Sequence, residues 1–223
     1  MAPMVGMVSR SLRAGALLAA VVLLSACTRV TVGSSRAVEA VAEEPPVPLA
    51  ALLIEPDRFP PQYRAAVLDD AGVNRAVQDV DGVPTGSIVT PAACAPPALW
   101  HSEVVGAEGV DSASRLIVVL TRPAPPLAER LAQLRGCPSF TAGESTVNVT
   151  ELPAPPVDAE ATSAVEQTVT TPDSERKTLT FAAQIGDTRI SVTWLQDPAV
   201  DDADTASLDA VFRDAVLKLR RDG

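Results

Sequence analysis

Thr178-Leu-Thr-Phe-Ala-Ala-Gln-Ile185, then Gly186-Asp187, then Thr188-Arg-Ile-Ser-Val-Thr-Trp-Leu195 is the stretch from which the fold can be read. Both runs are rich in Thr, Val, Ile and aromatic residues, the composition of a strand. The two residues between them begin with glycine, as a type II′ hairpin turn requires, because its first central residue has positive φ. The stretch is therefore an antiparallel hairpin. Working outward, Thr146–Leu152 alternates, with Val147 and Val149 on one face, and Ala161–Thr171 is again rich in Thr and Val. These segments in series make a meander. Further upstream, Arg115–Thr121 carries Leu116-Ile117-Val118-Val119-Leu120, the continuous apolar run of a buried strand. Trp100–Val105 is its candidate partner, with Gly106–Ser112 as the connection. The sum is an antiparallel sheet of about 5–6 strands.

Helices lie before, between and after these strands. Arg64–Val80 reads as one or two short helices, with Val73, Val77 and Val80 at helical spacing and Asp70 as N-cap. Pro126–Arg135 places Leu127, Leu131 and Leu134 on one face, and Gly136 sits where a C-cap glycine belongs. Thr205–Arg220 is an amphipathic C-terminal helix, with Leu208, Val211, Phe212, Val216 and Leu219 along one stripe. Asp201, Asp202 and Asp204 stand at its start and Lys218, Arg220 and Arg221 at its end, the arrangement its macrodipole favours. Strands in a run with flanking helices give an α+β fold, its helices packed on one face of the sheet.

The front of the chain is built differently. Arg10 and Arg13 precede Ala14–Leu24, an uncharged apolar run of eleven residues, and then Ser25, Ala26 and Cys27. The run is too short to span a bilayer as a helix, which takes about 20 residues, and suits the apolar region of an export signal. Leu24-Ser25-Ala26-Cys27 resembles the bacterial lipobox. That resemblance implies cleavage before Cys27, a diacylglycerol on its thiol and acylation of the new amino end. Several acyl chains hold firmly, because each buried CH₂ contributes about 0.8 kcal/mol. The alternatives are an ordinary signal peptide with Cys27 incidental, or a retained membrane helix. Residues 27–48, ending in Pro45-Pro46-Val47-Pro48, then read as a tether that spans roughly 25 Å as a flexible coil. The expected organisation is a signal at 1–26, a lipid-anchored tether at 27–48 and one extracytoplasmic domain at 49–223.

Charge and cysteine usage agree with that placement. The formal charge is −10, and it becomes about −12 once Arg10 and Arg13 leave with the signal. An acidic chain is a poor partner for nucleic acid or, by charge alone, for an anionic lipid surface. Arginine outnumbers lysine heavily among the 18 basic residues, with Lys177 and Lys218 the only lysines, a bias of GC-rich bacteria. With Cys27 lipidated, Cys94 and Cys137 remain in an oxidising compartment and are expected to pair. The loop-closure model values such a bridge at about 4 kcal/mol. The competing reading of a reactive thiol lacks a partner set, because His101 is the only histidine.

The leading Leu52-Leu53-Ile54-Glu55-Pro56 with Phe59-Pro60 and Tyr63, a cysteine in the Pro91–Pro97 loop, and Gly136-Cys137-Pro138 complete a layout. With the lipobox and tether, it resembles an uncharacterised family of actinobacterial, mycobacterial-type lipoproteins. More distantly it is similar to the extracytoplasmic sensor domain of PknH-type receptor kinases. The resemblance implies an antiparallel sheet with helices and a cleft suited to a ligand. It also implies two disulfides, of which this chain has the cysteines for one.

Catalytic signatures are missing from the sequence. There is no Gly-x-Ser-x-Gly elbow, no Gly-rich phosphate loop and no His-Glu-x-x-His. A Ser-His-Asp triad would have to use His101, beside Trp100 at a strand start, where a surface role is the simpler reading. Asp197, Asp201, Asp202 and Asp204 are the best candidates for a hard cation such as calcium. Their spacing lacks the EF-hand glycine and terminal glutamate, and helix capping is the simpler role. Asn148-Val149-Thr150 matches a glycosylation sequon, which carries little weight in a bacterial lipoprotein. Phe59 and Tyr63 are either a recognition surface or aromatics that plug the core. The expectation is a non-enzymatic, sensor-like envelope lipoprotein on the outer face of the cytoplasmic membrane, without metal or cofactor. Its partners are the membrane, through lipid on Cys27, and an apolar or lipid ligand or an envelope protein. The alternatives are a cell-wall hydrolase using two carboxylates and a purely structural envelope component.

Overall fold

A computed structural model of the chain describes residues 46–111, 114–196 and 202–223. The signal, Cys27, the tether up to residue 45, Asp197 and Asp201 lie outside the described residues. The strands are β1 Arg64–Val67, β2 Val89–Thr90, β3 Glu103–Val110, β4 Ser114–Arg122, β5 Ser139–Ala142, β6 Ser145–Leu152, β7 Ala161–Thr170, β8 Glu175–Ile185 and β9 Thr188–Gln196. The helices are α1 Leu49–Leu52, α2 Asp70–Asp81, α3 Leu127–Gly136 and α4 Thr205–Asp222.

The strands form one sheet in the order β1-β3-β4-β9-β8-β7-β6-β5-β2, every neighbour antiparallel. The hairpin read from the sequence is β8–β9 at the centre of the sheet, closed by Gly186 at φ 56°. The sheet holds nine strands among the described residues, more than the 5–6 expected. The difference has local causes. Arg64-Ala-Ala-Val67 has the composition of a helix but pairs at the sheet edge with Ala107–Val110. The helix therefore starts later, at Asp70, and Asp69 is its cap, accepting from the Gly72 amide at 2.8 Å.

Gly106 and Gly109, read as part of a connection, lie inside β3. A Cβ on Gly109 would stand 2.7 Å from Phe59 Cδ1 and 2.9 Å from Tyr63 Cβ. Glycine here makes room for two aromatic rings and marks no turn. Phe59 and Tyr63 are accordingly core residues, each about 5% exposed or less.

The helices lie on both faces, which corrects the one-face expectation. Alternation along β4 sorts them. Leu116, Val118 and Leu120 point into a core with Ile190, Val192 and Trp194 of β9, α1, and the α4 stripe of Leu208, Val211, Phe212, Val216 and Leu219. Ile117 and Val119 point the other way, toward Ala76 of α2. α3 follows α2 onto that second side, where both line one groove. A third cluster, Cys94, Cys137, Phe140, Ala142, Val147 and Val169, closes the β5–β6 end. An amphipathic stripe says that a helix has a buried face. It does not say which side of the sheet receives it.

Pro45–Gly223 is a compact unit, and all three clusters lie inside it. It therefore carries its own hydrophobic core, as a unit able to fold alone does.

Candidate functional site

The side of the sheet under α2 and α3 is where chemistry gathers. α2 sets Ala76 and Asp79 against the sheet and leaves Val77 and Val80 half-buried at its flank. α3 buries Leu127 and Arg130 and leaves Leu131 and Leu134 half-buried. These valines and leucines are the walls of a groove of about 70 Å³, with Pro97 and Leu99 at the rim. At roughly 10–15 Å³ per water on the same measure, the space suits a few waters or part of a small ligand.

The floor is made by the central strands. Cross-strand register places Ser163 of β7, Ala182 of β8, Ser191 of β9 and Val119 of β4 in one row. Gln184, Arg189 and Thr121 form the row beside it. Thr180 and Thr193 hydrogen-bond each other at 2.8 Å in the row on the other side. The floor is thus studded with small hydroxyls, whereas the opposite faces of β4, β8 and β9 are apolar, with Phe181 and Trp194 among the aliphatic side chains. Gln167 lies on it too, 4% exposed, with its Oε1 buried and without a hydrogen-bond partner.

Three charged side chains line the groove: Asp81 at the end of α2, Arg130 on α3 and Arg189 on β9. Arg130 donates to Asp81 Oδ1 at 3.1 Å and to Gln133 Oε1 at 2.6 Å. Burial pushes the Asp81 carboxyl up, against the pull of Arg130 and Arg189. Burial likewise pulls the Arg189 guanidinium down, opposed by the charge of Asp81.

Cys94 and Cys137 are joined by a disulfide, their Cα atoms 5.7 Å apart. Cys94 ends a short 3-10 turn, Ala92–Cys94, and Cys137 caps α3. Gln133 Nε2 adds bonds to the carbonyls of Ala93 and Ala95 at 2.8 and 2.7 Å. Bridge and hydrogen bonds together fasten α3 to the loop that carries the Pro97–Leu99 rim.

The other residues singled out in the sequence fall elsewhere. His101 is exposed in a turn, and Asn148 is exposed on β6. Asp204 caps α4 by accepting from the Ser207 amide at 3.0 Å, and it also accepts from the Tyr63 hydroxyl at 3.1 Å. Among the described residues no group of His, Cys, Asp and Glu is arranged to hold a metal. No described helix is long and apolar enough to cross a membrane. Arg189 and Gln167 were not foreseen. Their one signal was alternation, which set Arg189, Ser191 and Thr193 on a common face.

A family model described as a domain of unknown function, DUF5642, matches residues 54–220, most of the chain. The chain belongs to the DUF5642 family. That match spans every strand and all of α2 and α3, so the groove lies inside the DUF5642 domain. Two solved structures share some of its outline. A Mycobacterium smegmatis protein described as the Rv0999 ortholog is 16% identical, with a TM-score of 0.48 over 74% of this chain and 92% of that one. The extracellular domain of PknH from Mycobacterium tuberculosis is 9% identical, with a TM-score of 0.40 over 74% of this chain and 98% of that one. No curated protein matches the DUF5642 chain.

Proposed function

We propose that this protein is an exported lipoprotein, anchored through Cys27 at the outer face of the cytoplasmic membrane, whose DUF5642 domain is a non-enzymatic, sensor-like binding module. The observation that carries the reading is the groove between α2 and α3, with half-buried valine and leucine walls on both helices. Apolar side chains left half-covered inside a concavity are surface that a ligand covers at a gain of about 25 cal/mol per Å². Among the groove residues Asp81 is the only carboxylate, and Arg130 already engages it. A paired-carboxylate hydrolase needs two such groups facing one bond, so the groove's make-up favours binding over hydrolysis.

The test is native mass spectrometry of residues 45–223 after exposure to an envelope lipid extract of the host. A reproducible adduct of defined mass is expected, and it is lost when Leu131→Trp fills the groove. A clean apo mass overturns the ligand-binding reading and turns attention to a protein partner. Anchoring is checked separately. Cys27→Ala releases the protein from membranes, and retention with the signal intact refutes the lipid anchor.

A further inference from the structure

The groove's charge runs against that of the chain. The whole sequence carries −10, yet the charged groups on the groove are Arg130, Arg189 and Asp81, one positive charge in excess. Arg130 is committed to Asp81 and Gln133. Arg189 is different. It has no hydrogen bond and no ion pair among the described residues, although it is only partly exposed and Asp81 is near enough to be felt through its charge. A guanidinium stays charged and brings five N–H donors in a fixed planar fork. Leaving that fork half-buried and unpaired costs stability that the fold gains nothing by spending, unless something else arrives to accept.

The surroundings suit an acceptor. Thr121 lies directly across from Arg189 on β4, where same-face Cβ atoms are about 5 Å apart, and Ser191 is two residues along β9 on the same face. The hydroxyls of Thr121, Ser163 and Ser191 have no protein partner among the described residues. Nothing negative besides Asp81 faces them in the groove. At one end, then, stand a free fork and several free hydroxyls. Along the walls stand Val77, Val80, Leu131 and Leu134, with the paired Arg130 and Asp81 between the two helices.

We propose that the groove binds an anionic amphiphile, whose carboxylate or phosphate seats on Arg189 with the Thr121 and Ser191 hydroxyls and whose apolar part lies along Val77, Leu131 and Leu134. The inference rests on the groove being the binding site and adds the class of ligand. Bidentate pairing gives Arg the geometric preference for these two anions over neutral hydroxyls. Arg130 and Asp81, facing from α3 and α2, cancel one another and leave Arg189 as the net charge.

The experiment is a titration of residues 45–223, followed by calorimetry and backbone NMR, with four probes: octanoate, octyl phosphate, octan-1-ol and inorganic phosphate. One or both anionic octyl probes are expected to bind at least ten-fold more tightly than octanol, and which of the two is tighter tells carboxylate from phosphate. Inorganic phosphate is expected to bind at least ten-fold more weakly than octyl phosphate. Arg189→Met removes the anion preference and leaves octanol binding unchanged. Arg189→Lys restores part of it, which separates lost charge from lost fold. Octanol binding as tightly as both anions overturns the inference and leaves the groove reading standing. An anion preference that survives Arg189→Met with unchanged groove resonances overturns it in the same way. Inorganic phosphate matching octyl phosphate overturns the amphiphile. Failure of every probe overturns the inference, and if the lipid extract also gives no adduct the groove reading falls with it.

Discussion

Along β9, Ile190, Val192 and Trp194 face one side of the sheet and Arg189, Ser191 and Thr193 face the other. The strand is the same and only the parity differs. The first set is buried with α1 and α4, and Phe212 of α4 meets Phe181 of β8 edge-on with ring centroids 5.7 Å apart. The second set lies under α2 and α3, among hydroxyls, an ion pair and an amide oxygen without a partner. The α1–α4 side holds the molecule together. The α2–α3 side carries two buried polar atoms that the fold does not satisfy, Gln167 Oε1 and Thr178 Oγ1, against one on the other side, Trp194 Nε1, and an excess of such groups is how a protein commonly marks the place where it works.

Substitutions that treat the two sides differently test this division. The largest effect is expected from Phe212→Ala, at a fully buried side chain of the α1–α4 face. The cavity it leaves costs about 3–5 kcal/mol in urea unfolding, and groove ligands still bind the folded fraction with unchanged affinity. A cost below about 1 kcal/mol would show that this face is not the stabilising one.

Removing the Cys94–Cys137 bridge comes next, at about 4 kcal/mol by loop-closure entropy. It acts on both properties, because the bridge also fastens the groove rim. Unfolding with and without reductant reads the stability. The same titration of octyl probes reads the rim, and unchanged affinity in the reduced, folded protein would separate the bridge from the groove.

Tyr63 supplies a pH test on the α1–α4 side. Burial, with Asp204 and Asp111 nearby, raises its hydroxyl from about 10 to about 12. The folded state thus favours the neutral phenol. The stability this gives is complete below about pH 10 and is lost as the pH climbs from 10 toward 12, about 3 kcal/mol in all. The chain has a single tyrosine, so phenolate absorbance follows this group alone. A midpoint near 10 in the folded protein would refute it.

The smallest effect has the opposite sign. Thr178 of β8 is 1% exposed, and its Oγ1 has no hydrogen-bond partner. Thr178→Val keeps the shape, removes the orphan hydroxyl, and is expected to stabilise by about 1 kcal/mol. A loss of similar size would mean that the polar side is packed as tightly as the apolar one.

The hairpin, the Leu116–Leu120 run and the α4 stripe were legible because local composition and tertiary role agree there. β1 and β3 were hidden because they do not. Ala65 and Ala66 favour a helix but are held by edge pairing, and Gly106 and Gly109 suggest a turn but sit inside β3, Gly109 against Phe59 and Tyr63 and Gly106 against the Val118 carbonyl and Leu68. The groove was legible only as a mixture. The valines of α2 and leucines of α3 were visible as stripes on one face, but the stripes do not show that two of the three residues in each, Val77 and Val80, Leu131 and Leu134, are only half-buried and line the groove. Arg189 did not stand out, since alternation gives parity and is silent on what covers that face. Only the placement of α3 on the same side as α2, a long-range choice, turns that row into the floor of a site.

One strand has a consequence for the birth of the molecule. β9 is the only strand that joins β1-β3-β4 to the sub-sheet of β8, β7, β6, β5 and β2. Until residues 188–196 emerge and slot in, β4 and β8 each present a bare row of amide and carbonyl groups to whatever passes. Without β9 the described strands fall into two separate sheets, each with an unpaired edge. They become one at the arrival of a single late segment, with α4 following to seal the apolar side. Exposed edges of this kind are where unwanted strand pairing starts, so covering them until β9 is in place is what protects such a chain.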